Sequence, residues 1–213
     1  MSDFNIGRTF VINYLWDVPI PKNWGAIGSH VLGGWEVGGI FTAEDGIPFT
    51  PLIGGDPLGL NSGDPFAYPN RLSGPGCGSA VNTGNPSHYV KLNCFGLPVA
   101  PPSLAARCTP FPAVPGTCSN LLGTVGRNSV IGPGLVTLNF SLFKNNYIKK
   151  ISESFNLQFR AEFFNILNRP NFAAPADNST FFDANGTPVG AAGAVDKTST
   201  TSRQIQLALK VIW

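Results

Sequence analysis

The chain has 213 residues, among them 25 glycines and 19 prolines, roughly a fifth of the sequence against about 12% in average usage. Charged residues make up 12%, and 14 Lys+Arg against 12 Asp+Glu leave a net charge of +2. That much Gly and Pro excludes a helical bundle. The 43% hydrophobic content with 16 phenylalanines excludes simple disorder, and the near-balanced charge argues against an electrostatic nucleic-acid surface.

Five segments alternate with period two, the mark of strands with one apolar face. The first, Thr9–Val18, places Phe10, Ile12, Tyr14, Trp16 and Val18 on one side. The second, 34–44, sets Trp35, Val37 and Phe41 against Glu36, Thr42 and Glu44. The third, 135–148, opens with Val136, Leu138, Phe140 and Leu142 against Thr137, Asn139 and Ser141. The fourth, 153–167, alternates Phe155, Leu157, Phe159, Ala161 and Phe163 with Asn156, Gln158, Arg160 and Glu162. The last, 201–213, carries Ile205, Leu207, Leu209, Val211 and Trp213 on one face.

A half-buried strand presents its apolar face either to a protein core or to lipid, and the connectors separate the two. They run Pro19–Gly33, Asp45–Gly134, Lys149–Ser152 and Asn168–Thr200: shorter, very long, very short, long. Transmembrane barrels alternate short periplasmic turns with long outer loops in this way, whereas about ninety residues without clear strands are unusual inside a compact soluble domain. Trp16, Trp35 and Trp213, near strand ends, fit interfacial girdles, with core aromatics as the plainer alternative. The fold expected is therefore all-β: an antiparallel transmembrane β-barrel segment with long extracellular loops, 45–134 and 168–200. About five strands cannot close a barrel, and an open sheet in lipid leaves two edges of unsatisfied backbone groups. The expectation is a piece of a larger barrel.

No window approaches the roughly 20 apolar residues of a membrane helix. Met1-Ser2-Asp3-Phe4-Asn5 has neither the basic start nor the apolar stretch of a secretory signal, which does not settle the compartment. The cysteines speak to it more directly. Cys77, Cys94, Cys108 and Cys118 fall in one Pro/Gly-rich stretch, with no C-x-x-C and only His88 nearby, which speaks against zinc. Clustered thiols in a long loop read as staples formed in an oxidising compartment, free thiols being the alternative. Of three possible pairings the sequential one is expected, Cys77 with Cys94 and Cys108 with Cys118.

No catalytic constellation is visible. His30 and His88, the two histidines, have no Ser–His–Asp order or H-E-x-x-H spacing around them. Gly74-Pro75-Gly76-Cys77-Gly78 lacks the strand-to-helix context of a phosphate loop and reads as turn chemistry. The expectation is a non-enzymatic protein without cofactor or metal. On the fourth strand an Arg facing lipid would cost about 2–4 kcal/mol, so Asn156, Gln158, Arg160 and Glu162 are expected to face inward. There they form a wetted lumen wall or contact a plug. In the large loop Phe66, Tyr68, Asn70, Arg71, Tyr89 and Phe95 either meet a ligand or pack the loop onto itself.

The stretches FVINYLWDVPIP, VLGGWEVGGIFTAEDGIPFTP, GRNSVIGPGLVTLNFSLFKN, LQFRAEFFNILNRPNF and RQIQLALKVIW, in combination, resemble the C-terminal β-barrel portion of TonB-dependent outer-membrane receptors. The likeness is to the type with a carboxypeptidase-regulatory-like N-terminal domain, and it covers most of 9–53 and 124–213. It implies a barrel of about twenty-two strands in the outer membrane of a Gram-negative type envelope, filled by an N-terminal plug and energised through the TonB complex. It also implies uptake of a scarce nutrient such as a metal chelate or oligosaccharide. The partners implied are outer-membrane lipid, the barrel-insertion machinery, TonB by way of the plug, and the plug and barrel strands that have no counterpart in this chain. Ile205, Leu207, Leu209, Val211 and Trp213 would carry the barrel-assembly signal, with Trp213 where the family more often ends in Phe. A periplasmic C-terminus would place 168–200 and 45–134 outside and Lys149–Ser152 inside. The rival expectation is a secreted, soluble all-β binding or adhesion module.

Overall fold

A computed structural model describes residues 2–19, 31–60 and 67–213. His30, Phe66 and most of the Pro19–Gly33 connector lie outside the described residues. The chain divides into two compact units, one of Arg8–Glu44, Leu135–Asn171 and Ser199–Trp213, the other of Met1–Gly7, Asp45–Gly134 and Phe172–Thr198.

The first unit is a five-stranded antiparallel sheet. Its strands are β1 (Thr9–Asp17), β2 (Trp35–Glu44), β3 (Leu135–Tyr147), β4 (Asn156–Phe164) and β5 (Gln204–Ile212), paired in that order with β1 and β5 at the edges. All five segments with period-two alternation form strands, rich in the β-branched and aromatic residues that suit a pleated surface.

Because directly opposed residues share a face, the register converts five separate patterns into rows across the sheet. One row reads Tyr14–Gly39–Phe140–Phe163–Ile205. The next reads Trp16–Val37–Leu142–Ala161–Leu207, and the one after it Trp35–Lys144–Phe159–Leu209. The opposite face reads Leu15–Gly38–Ser141–Glu162–Gln206, then Asp17–Glu36–Phe143–Arg160–Ala208, then Asn145–Gln158–Lys210. A slip of one residue in any pairing would mix the two sets, so the register is fixed by the pattern itself. Gly39 is required by its row: a Cβ there would lie 2.6 Å from both the Asn139 carbonyl oxygen and the Tyr14 hydroxyl. The phenol of Tyr14 covers the place a side chain would fill.

The expected tight turn at Lys149–Ser152 is longer in the structure. β3 ends at Tyr147 and β4 begins at Asn156, and the turn is closed by Ile148 N–H donating to the Phe155 carbonyl at 3.0 Å. Inside it the Ser152 carbonyl accepts from Phe155 N–H and the Ser152 hydroxyl from Ser154 N–H, each at 3.3 Å. These local bonds take residues 153–155 out of the ladder.

The second unit departs further from expectation. The 45–134 and 168–200 segments, anticipated as irregular loops, fold with a core of their own. Four short strand pairs frame it: 48–49 with 130–131, 52–53 with 180–182, 70–71 with 95–96, and 110–111 with 114–118. The second of these ties the two long connectors to each other. Phe49, Ile53, Tyr89, Phe95, Phe111, Val130, Phe181 and Phe182 form the buried cluster, with Phe95 edge-on to Phe181 at 4.9 Å.

Candidate functional site

The sheet offers two faces of different chemistry. On the polar face the side chains of β3 and β4 form a bonded ladder. The Asn145 Oδ1 accepts from Asn156 Nδ2 at 2.9 Å and from Gln158 Nε2 at 2.7 Å, and Gln158 Oε1 accepts from Arg160 Nε at 2.5 Å. The Arg160 guanidinium lies 5.2 Å from the centre of the Phe143 ring, its directly opposed neighbour. Every amide in the run has a partner, so the ladder presents an ordered, polar, singly cationic strip. Glu162 shares this face between Ser141 and Gln206. Of the four residues expected to face inward, the structure thus brings Asn156, Gln158 and Arg160 into one network and sets Glu162 on the same wall.

On the apolar face Phe10, Ile12, Trp16, Ile205, Leu207, Leu209 and Trp213 are exposed. Such a face normally marks an interaction with lipid or another apolar partner. Trp16, Trp35 and Trp213 cluster at the end of the sheet that carries the 148–155 turn, because Trp16 lies opposite Val37, Trp35 opposite Lys144, and Trp213 follows the Ile212–Asn156 pair. Ile205, Leu207, Leu209 and Val211 all lie on this face of an edge strand whose other ladder side has no strand beside it among the described residues.

The opposite rim is braced by asparagines that the sequence pattern did not single out. Asn165 N–H donates to Asn139 Oδ1 at 2.9 Å, and Asn165 Nδ2 donates to the carbonyls of Arg169 and Thr201 at 3.0 and 3.1 Å. Asn168 Oδ1 accepts from Arg203 N–H at 3.0 Å. The buried Asn171 accepts from Val136 N–H at 2.8 Å and donates to Thr200 Oγ1 at 3.0 Å. Asn165 and Asn168 both adopt a left-handed backbone, φ 49°, which asparagine tolerates better than other residues with a side chain. The readable signal was the N-I-L-N-R-P-N run, where asparagines recur every third residue before and after a proline.

In the second unit the four cysteines form two disulfides, Cys77–Cys94 and Cys108–Cys118, the sequential pairing. Of the residues weighed as ligand contacts, Tyr89 and Phe95 are buried in the core. The Tyr89 hydroxyl donates to the Ile131 carbonyl at 2.9 Å, and burial pushes its pKa up to about 12. Arg71 is spent on structure: its guanidinium donates to the carbonyls of Leu72, Cys94 and Cys77 and lies 5.2 Å from the Phe95 ring centre. Asn70 likewise bonds the Leu97 carbonyl and Thr124 N–H, and Tyr68 packs against the core. The described members of this set pack the unit onto itself. Among the described residues no cluster of His, Cys, Asp and Glu is arranged to hold a metal ion.

The outer membrane beta barrel domain family matches residues 1–206. The chain belongs to that family. No curated protein and no solved structure matches it. An outer membrane beta barrel domain carries a wall that is apolar toward lipid and polar toward its interior, and across β3, β4 and β5 the two faces of this sheet have those two compositions, while on β1 and β2 the second face also exposes Val11, Leu15 and Ile40. Its strands of 9 to 13 residues reach or exceed the 9–11 tilted residues needed to cross a bilayer. No helix among the described residues is long and apolar enough to cross a membrane, and in a barrel domain the crossing falls to the strands. The protein is an outer-membrane protein.

Proposed function

We propose that this outer membrane beta barrel domain is the C-terminal wall of a TonB-dependent receptor, a non-enzymatic transporter that takes up a scarce nutrient such as a metal chelate or oligosaccharide. The observation that carries the reading is the sheet itself. Among the described residues, five strands with one continuous apolar face leave β1 and β5 each with an unpaired ladder edge, and in lipid each unsatisfied backbone group costs several kcal/mol. Further strands must therefore cover both edges, which calls for a larger barrel. In that barrel the apolar rows face lipid, and the ladder of Asn156, Gln158 and Arg160 with Glu162 faces the lumen and a plug. Ile205, Leu207, Leu209, Val211 and Trp213 present the edge read by the barrel-insertion machinery. The 148–155 turn lies in the periplasm, and the connectors 45–134 and 168–200 lie outside, folded as a disulfide-stapled unit. The TonB complex acts through the plug. The resemblance of five stretches to this receptor class supplies the specific function.

The test is fractionation of a host envelope, probed with an antibody against residues 67–125. A heat-modifiable outer-membrane band far above 22.6 kDa, together with uptake lost when TonB is deleted, is the expected result. A secreted, soluble band near 22.6 kDa would replace the transporter with a stand-alone binding module.

A further inference from the structure

We infer that the 148–155 turn is a binding site for the phosphate headgroups of anionic phospholipid, with Lys149 and Lys150 as the cationic contacts and Ile151 seated at the acyl boundary. The inference rests on the apolar face of the sheet meeting lipid. Lys144 lies at the end of that face nearest the turn. It is the one cation on the apolar face, in the row Trp35–Lys144–Phe159–Leu209. Its ammonium lies 5.8 Å from the centre of the Trp35 ring and donates to the Gly33 carbonyl. These contacts bury Lys144, so its charge is held by the protein and is not presented bare on the wall. The three tryptophans of the apolar face gather at this same end, as interfacial aromatics do.

The turn begins at Ile148, four positions beyond Lys144, and Trp213, which follows the Ile212–Asn156 pair, stands level with it. The turn therefore lies at the depth of the interfacial aromatics. The turn has the composition such a position requires. Ile148-Lys149-Lys150-Ile151 places two exposed lysines between two isoleucines, and Ile151 is 63% exposed. Among the described residues neither lysine forms an ion pair, and Glu153 in the same turn bridges to neither of them. An apolar residue standing free beside two unpaired ammonium groups suits an interface with phosphate above and acyl chain below, and suits bulk water poorly.

The experiment measures partitioning of the full chain, by tryptophan fluorescence, into phosphatidylcholine vesicles alone, with phosphatidylglycerol or with lipid A, for the native protein and Lys149→Gln/Lys150→Gln. At roughly 1 kcal/mol per lysine near an anionic surface, the native protein should bind the anionic vesicles about 30-fold more tightly than the double variant. The two should bind the zwitterionic vesicles alike, and high salt should remove the native protein's advantage without any substitution. An equal anionic gain in both proteins, or a lysine-dependent gain seen only with lipid A, overturns the site. A native protein that stays folded and monomeric in solution without entering zwitterionic vesicles would instead overturn the lipid-facing reading of the sheet.

Discussion

Removing the two disulfides should loosen the connector unit while leaving the sheet intact. Cys77 and Cys94 are 17 residues apart, and Cys108 and Cys118 are 10 apart. On the chain-entropy account, closing loops of those lengths restricts the unfolded chain by about 3.1 and 2.7 kcal/mol. Together that is close to ~6 kcal/mol, comparable with the whole stability of a typical domain, ~5–15 kcal/mol. The core around Phe95 and Phe181 would remain apolar but would have to order an unrestrained segment of about forty residues. The assay is hydrogen exchange and limited proteolysis of the detergent-solubilised chain, oxidised and reduced, with Cys108→Ser/Cys118→Ser as a check on the shorter loop alone. Reduction should expose cleavage sites within 67–125 and raise amide exchange there by orders of magnitude, with β2, β3 and β4 still protected. If the reduced chain resists protease as well as the oxidised one, the disulfides do not stabilise the unit and the entropy argument fails here.

Other perturbations separate the two faces of the sheet and the core of the connector unit. Leu207→Arg on the apolar face should cost about 2 kcal/mol or more in lipid, while Gln206→Arg one residue away should cost under ~1 kcal/mol; urea unfolding from vesicles measures both, and equal costs would contradict the facing. Gly39→Ala should destabilise the sheet by about 1–3 kcal/mol, since the Asn139 carbonyl at 2.6 Å is backbone and cannot yield; Tyr14→Ala in the same background should recover only the part due to the phenol. Tyr89, with its pKa raised by burial to about 12 from 10.0, binds its proton more tightly folded than unfolded. Its contribution is therefore complete below pH 10 and is lost as pH climbs from 10 to about 12. Tyr89→Phe should flatten that loss in an alkaline titration followed by hydrogen exchange of the connector unit.

The sheet was legible in the sequence because one physical rule, a two-residue period with one apolar face, operated in all five strands. Even the polar residues Gln158 and Arg160 are where alternation placed them. The connector unit was not legible for the complementary reason. Phe49, Phe95, Phe111 and Phe181 come from segments broken by Gly and Pro, with no period to announce a buried face, and the 52–53 pairing with 180–182 spans most of the chain. Tyr89 and Arg71 illustrate the ambiguity: an aromatic or a cation in a long loop has the same composition whether it meets a ligand or a neighbouring carbonyl, and only the three-dimensional partner decides. The cysteines were readable because covalent pairing favours near neighbours within one cluster. The asparagine brace was hidden because Asn165, Asn168 and Asn171 look like ordinary turn residues until their bonds to Asn139, Arg203 and Val136 are seen.

The central claim is that one face of this sheet meets lipid and the other the interior of a barrel. All four cysteines are disulfide-bonded, so single cysteines introduced along β5 can carry a spin label without competition. Accessibility to oxygen, which concentrates in lipid, and to a water-soluble nickel chelate should alternate residue by residue in the reconstituted protein. Positions 205, 207, 209 and 211 should favour oxygen, and positions 206 and 210 the chelate. A uniform profile, or chelate access on both faces, would contradict the account.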